Sequence, residues 1–392
     1  MLAAMRNETP DRVPAAPDTS MYIPMRHNGF TAQDIWIGTK TGVPHWHAYL
    51  DAADYYGMDA WTAPVMGLPL IYEDAPVEWQ NQSRLDAQRD AIVNSATVKT
   101  PAGALSQESI CFRGDQAAMS VKLIKDLASD FRKFRYTQPM PRALDIAALA
   151  ELRQACHQRE YAFGVTITYP GFHMWNCFVQ GGVEALSYAE MDTPDILQEW
   201  FEWDLERGTR VMELALGAQL DFILFGGSGT ITMASPALAA KYAIPALKKW
   251  SAMTKAANLP TMLHSCGKNR VLADMLAADT DVGMLNPLET PPAGDIDLAE
   301  VKQAHGRRLA FMGNLHTTDV MLRGSVKDVR RESLRAIRAA GENGGFILST
   351  GDQCPRDTPD ANIRELVRVA KEFGSYPLDL SAIDVEINAL GR

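Results

Sequence analysis

From about residue 145 onward the chain alternates between short apolar runs and longer segments with helical spacing. That alternation constrains the fold more than any other feature of the sequence. Candidate strands cover 162–168, 221–225, 261–264, 282–285, 309–312 and 345–349. The helix-compatible segments are 146–160, 182–216, 236–257, 269–278, 297–305, 325–341 and 359–373. Asp192-Thr-Pro194, Ser235-Pro236 and Thr358-Pro359 supply helix-entry signals, because proline suits the first turn, where its missing N–H is not needed. Strands that are apolar on both faces and joined by helices belong to a parallel sheet covered on both sides. Further strands within 13–60 would complete a ring. The expected class is therefore α/β and the expected architecture a TIM (β/α)8 barrel. An open doubly wound sheet is the alternative, but no G-x-G-x-x-G or P-loop follows any of these strands.

Residues 64–136 break the pattern. Leu70-Ile-Tyr, Ala91-Ile-Val, Ala96-Thr-Val-Lys-Thr and Glu108-Ser-Ile-Cys-Phe alternate with turn residues, which predicts a small antiparallel β insertion. The whole chain, 1–392, reads as one barrel domain carrying that insertion. A helix is expected from about His47, with its C-cap near Gly57. Acidic residues outnumber basic ones, 48 to 38, and the net charge of −10 argues against a nucleic-acid partner. No apolar run is long enough to span a membrane, and no signal-peptide core is visible at the N-terminus. Five scattered cysteines suit a reducing, cytoplasmic setting, where a thiol serves as ligand or nucleophile.

In a barrel, the chemistry gathers at the C-terminal ends of the strands. Polar and small residues follow six consecutive candidate strands here: Thr168 to His173, Gly226 to Thr230, His264 to Gly267, Asn286 to Glu289, Gly313 to His316, and Thr350 to Cys354. Along a strand, residues two apart share a face, so His264 and Cys266 are expected to point the same way, as half of a zinc site. Cys354 and Glu289, past two other strands, are the candidates for the rest. Two thiolates, an imidazole and a carboxylate would leave zinc with little net positive charge, suited to a thiolate substrate that displaces the weakest ligand. Glu289 is the natural ligand to leave, which makes it a catalytic candidate as well. His173 is the second catalytic candidate. Arg26, His27, His45, Tyr169, Ser228 and His316 are expected to line the mouth and touch substrate. For Asp352 two readings stand: support of the metal ligands by hydrogen bonding, or a simple turn.

Four stretches resemble the uroporphyrinogen decarboxylase superfamily. They are Met5-Arg-Asn-Glu-Thr-Pro-Asp-Arg-Val-Pro14, His264-Ser-Cys-Gly267, Met312-Gly-Asn314, and Phe346 to Ile363 with its Cys354-Pro and Thr358-Pro-x-x-Asn-Ile. The closer resemblance is to the corrinoid-linked methyltransferase branch. It implies a TIM barrel and a zinc ion held by His264, Cys266 and Cys354, and it supports Glu289 as fourth ligand. It also implies transfer of a methyl group between a cobamide and a small donor or acceptor: a methoxylated compound, an amine, a thiol or tetrahydrofolate. The chain has no D-x-H-x-x-G corrinoid segment, so the cobamide is expected on a partner protein or as a free molecule. Decarboxylases of the superfamily need no metal and use N-terminal arginines. Here Met25-Arg26 is followed by His27-Asn-Gly, and the second arginine is missing. A metal-independent decarboxylase and a non-catalytic tetrapyrrole- or corrinoid-binding barrel are the competing expectations. A homodimer is the commonest oligomeric state for such a chain.

Overall fold

The computed structural model describes residues 1–19, 21–36, 44–63 and 67–391. Six strands form one parallel sheet in sequence order: β7 (Gly164–Thr168), β8 (Phe222–Gly226), β9 (Thr261–His264), β10 (Met284–Asn286), β11 (Ala310–Leu315) and β12 (Phe346–Thr350). All six were expected from their apolar runs, to within two residues at most ends. Helices alternate with them and cover the outer face, as in a TIM barrel.

The first two positions of the ring are filled differently from the expectation. They are extended segments that make single parallel bridges, Ala15 to Leu348 and Trp61 to Ala162, rather than ladders. Backbone hydrogen bonds still connect them. Ala16 N–H donates to Leu348 O (2.9 Å), Asp59 N–H to Ala15 O (2.8 Å) and Ala162 N–H to Ala60 O (3.1 Å). The Asp59 carboxylate reinforces the junction by accepting from Ala15 N–H (2.8 Å) and, through both oxygens, from Arg12 at 2.8 Å each. A bidentate arginine–carboxylate pair fixes geometry as well as charge. Side chains of Trp61, Phe222, Leu224, Met262, Met284, Met312 and Ile347 fill the interior, so the ring is packed rather than hollow. Burial of each such side chain contributes about 1.5–3 kcal/mol.

Two of the expected helices are interrupted, each at a proline. The 182–216 segment is two helices, Gly182–Asp192 and Pro194–Leu216, because Pro194 cannot donate to a preceding turn and so starts a new helix. The 236–257 segment contains a π-turn, Ala239–Ala243, immediately before the helix Ile244–Ala256 with Pro245 in its first turn. The helix expected from about His47 is present as His45–Tyr56, and Gly57 ends it at φ +65°, a conformation open to glycine.

The insertion is antiparallel. β2 (Glu78–Asp86), β3 (Ala91–Thr100), β4 (Gly103–Phe112) and β5 (Ala118–Val121) form a four-stranded sheet. β1 (Leu70–Tyr72) pairs instead with β6 (Pro141–Leu144) beside the barrel. Residues 64–66 of the expected insertion lie outside the described residues. The strand β2 had no hydrophobic signal, since Glu-Trp-Gln-Asn-Gln-Ser-Arg-Leu-Asp is solvent-exposed on both faces, and its ladder with β3 supplies the order.

Candidate metal centre at the strand ends

β9 ends at His264, and the chain leaves it through Ser265-Cys266-Gly267. Ser265 is buried. Its N–H donates to Asn286 O (2.8 Å), which extends the β9–β10 ladder by one step, and its hydroxyl accepts from Thr230 N–H (3.2 Å). This step keeps the two-residue alternation intact past the formal end of the strand, and the His264 ring hydrogen-bonds with Cys266. The other ring nitrogen, Nδ1, donates to Asn286 Oδ1 at 2.8 Å, which leaves Nε2 as the ligating atom when the ring is neutral. Burial alone would push the His264 pKa down. The hydrogen bonds to Cys266 and Asn286 and the charge of Asp352 outweigh it, and the pKa lies at about 9.

Gly267 turns the loop at φ +84°, and a Cβ there would collide with Thr232. Its N–H donates to the Glu289 carboxylate, which ties the β10 loop to the His264–Cys266 loop. Burial raises the Glu289 pKa, the Gly267 N–H lowers it, and nearby Asp352 raises it further. Among the described residues, the Cys266 thiol and the carboxylates of Glu289 and Asp352 bring their donor atoms within 4.8 Å of one another.

Two of the four predicted ligands, Cys266 and Glu289, thus meet directly, and His264 touches Cys266. Cys354 is not in this three-donor cluster. It is fully buried in the β12 loop, its N–H donating to Asp18 O (2.7 Å), and burial together with the Asp18 charge pushes its thiol pKa up. Asp352, taken from the sequence as a supporting or turning residue, instead offers its carboxylate to the cluster. Its place two residues past β12 was the signal, and an Asp in a Gly-Asp-Gln turn gave no reason to rank it above a cysteine.

The remaining candidates are distributed around the mouth. Tyr169 is buried after β7, and its hydroxyl pairs with Thr230 Oγ1 at 2.6 Å. His173 packs against the Tyr169 ring (centroids 4.4 Å apart) and is buried, with Nε2 lacking a hydrogen-bond partner. Burial lowers its pKa to about 3, so the ring is neutral. Gly227 lets both side chains approach: a Cβ there would stand 2.6 Å from the Tyr169 hydroxyl and 2.7 Å from His173 Nε2. His316 accepts from the N–H groups of Thr318 (3.3 Å) and Asp319 (3.0 Å) through Nδ1 and shares a pocket with Glu289. Ser228 is exposed. Arg26 spends its guanidinium on Arg356 O (2.7 Å), Thr358 O (2.8 Å) and the Asp360 carboxylate, so it braces the loop after Cys354. His27 is exposed and lies against Tyr55 at 4.4 Å. His45 is half-buried at the start of its helix, its Nε2 without a partner and its pKa lowered to about 4 by burial.

Comparison with known proteins places this arrangement. Residues 214–373, which carry His264, Cys266, Glu289, Asp352 and Cys354, match the family described as uroporphyrinogen decarboxylase (URO-D). Residues 214–373 are thus similar to the uroporphyrinogen decarboxylase family, over less than half of the chain. Curated relatives include a uroporphyrinogen decarboxylase of Trichodesmium erythraeum, 29% identical over 118 residues, covering 30% of this chain and 30% of the relative. Another is a uroporphyrinogen decarboxylase of Microcystis aeruginosa, 31% identical over 114 residues, covering 29% of this chain and 30% of the relative. The match thus spans less than a third of each curated relative. Among solved structures, a methyltransferase from Methanosarcina mazei superposes over 95% of this chain and 97% of its own, with a TM-score of 0.64 at 17% identity, a likeness of fold. Among the described residues no helix is long and apolar enough to cross a membrane.

Proposed function

We propose that this chain is a member of the uroporphyrinogen decarboxylase superfamily and a zinc-dependent methyltransferase that moves a methyl group between a cobamide and a small substrate. The observation that carries the reading is the convergence of Cys266, Glu289 and Asp352, with His264 against Cys266, at the mouth of the ring. A thiolate, carboxylates and an imidazole form a borderline donor set that suits zinc. Cys266, His264 and Glu289 would hold the ion. The β12 loop offers one more donor, for which Cys354 and Asp352 compete. Zinc bound there would act as a Lewis acid that keeps a thiol or similar acceptor deprotonated at neutral pH.

The chain's own groups have definable tasks. Asn286 orients the His264 ring. The Gly267 N–H holds one oxygen of Glu289, so this carboxylate can leave a metal and remain anchored. Tyr169 and neutral His173 wall one side of the mouth and keep water from the reacting centre. A cobamide would arrive on a separate protein or free in solution, and the cytoplasm would be the setting.

The decarboxylases among the relatives suggest the second reading. The electrostatics of the mouth weigh against it. Glu289 and Asp352 meet at the strand ends, and Arg26 is occupied by the 356–360 loop, so a substrate bearing many carboxylates would meet like charge. The test is elemental analysis of the purified protein, followed by assays with methylcobalamin plus thiols and with cob(I)alamin plus methoxyarenes or methylamines. About one zinc per chain and a corrinoid colour change are expected. Folded protein that holds no zinc, or that decarboxylates uroporphyrinogen without metal, would end the proposal.

A further inference from the structure

The four-stranded sheet of the insertion has two unlike edges. β5, at one edge, is four residues long, and its register with β4 shifts between Glu108 and Ser109. A short, bulged edge strand offers little for another strand to join. β2, at the other edge, runs for nine residues and matches β3 residue for residue without a bulge. It contains no proline and no lysine, the residues that commonly blunt such an edge. Among the described residues its main chain pairs only with β3 and, at Asp86, with the turn that follows, so its outer row of N–H and C=O groups is open. Trp79 and Leu85 lie exposed on one face of it, Leu85 by 70%. Arg84 is exposed and has no carboxylate within ion-pair distance among the described residues.

The main-chain groups of alternate residues point to the same side of an antiparallel strand. Two copies of β2 joined by a two-fold axis must each present outward-facing groups. Residues of like parity therefore face each other, and the axis passes through a residue rather than between two. Charge then selects the register. Centred on Gln82, the pairing would set Glu78 against Asp86 twice, like charge on like charge. Centred on Asn81, it sets Glu78 against Arg84 twice. The same register places Val77, just before the strand, against Leu85, and Gln80 against Gln82. Centres further out shorten the overlap. Glu78 already touches Lys99 at 3.4 Å across the β2–β3 ladder, and an exposed carboxylate can be shared between two cations.

We propose that two copies of this chain pair antiparallel along β2, across a two-fold axis at Asn81, so that the sheet of one insertion continues into that of its partner. The contact is narrow, with about eight main-chain hydrogen bonds and little apolar burial, so the dimer is reversible and depends on concentration. It does not depend on the methyl-transfer reading.

Sedimentation equilibrium of the full chain from about 1 to 200 µM tests it. The wild type should show a monomer–dimer equilibrium. Arg84→Glu sets Glu78 against a glutamate, and Glu78→Lys sets Arg84 against a lysine. Each variant alone, checked for folding by circular dichroism, should dimerise about tenfold more weakly or worse. An equimolar mixture of the two restores opposite charge at both ends of the pair and should form a heterodimer at wild-type strength. Where a charge variant fails to fold, Asn81→Cys decides: at the axis it should be joined to its own copy by a short thiol-reactive crosslinker, well above the wild-type level. A wild type that stays monomeric throughout, folded charge variants that dimerise as well as the wild type, a mixture that fails to recover, or Asn81→Cys that crosslinks no better than the wild type would each overturn the proposal.

Discussion

Replacing Cys266 by serine removes the one sulfur from the three-donor cluster and leaves its two carboxylates in place. A complete zinc site is worth about 10–16 kcal/mol near neutral pH. Shared over four donors, this comes to roughly 3 kcal/mol for each. At about 1.4 kcal/mol per factor of ten, zinc affinity should fall by roughly 100- to 1000-fold. The serine hydroxyl does not ionise at neutral pH, so it cannot stand in for a thiolate. The fold should survive, because Cys266 is half-exposed and belongs to none of the hydrophobic clusters. Competition against a chromogenic chelator gives the affinity, elemental analysis the stoichiometry and thermal melting the stability. A folded Cys266→Ser protein that keeps wild-type zinc affinity would refute the reasoning, since the cluster would then not be the metal site.

Further measurements address the parts around it. Cobalt substitution should decide the fourth donor: zinc-type sites favour thiolate over carboxylate, so the sulfur charge-transfer absorption should drop by about half in Cys354→Ser and stay whole in Asp352→Asn. His173, buried and neutral with its pKa lowered from 6.5 to about 3, must take up a proton on unfolding in acid. Its stabilising contribution is complete above pH 6.5 and shrinks as pH falls towards 3, with about 2 kcal/mol lost by pH 5, so His173→Gln should flatten the acid limb of a melting-temperature profile. A profile as steep as the wild type's would contradict this. Gly227→Ala should cost about 1–3 kcal/mol, because its methyl group would collide with Tyr169 and His173; an unchanged melting temperature would show that the pair moves freely. Arg26→Ala should raise protease cleavage in the 354–360 loop, which the guanidinium braces, and a change in substrate KM alone would return Arg26 to the substrate site.

Much of the framework was legible from local pattern. The six buried strands announced themselves because a strand covered on both faces must be apolar throughout, and their polar C-terminal neighbours marked the end where the cysteine–carboxylate cluster lies. The pairing of His264 with Cys266 followed from strand alternation, helped by the extra hydrogen bond from Ser265 to Asn286. Less was legible where order comes from pairing rather than burial. β2 has no apolar face, and the first two ring positions hold only through bridges and the Arg12–Asp59 clamp, a contact 47 residues apart in the chain. Arg26 looked like a mouth residue and turned out to serve a loop more than three hundred residues away.

The sequence by itself determined the class of the fold, the end of the ring where donors collect, and the donor types that suit zinc, because each follows from spacing within a few residues. Which donors meet was decided only in three dimensions. Cys266, Glu289 and Asp352 come from three loops, and their approach depends on the positive-φ turn at Gly267 and on the hydrogen bond that holds Glu289 there.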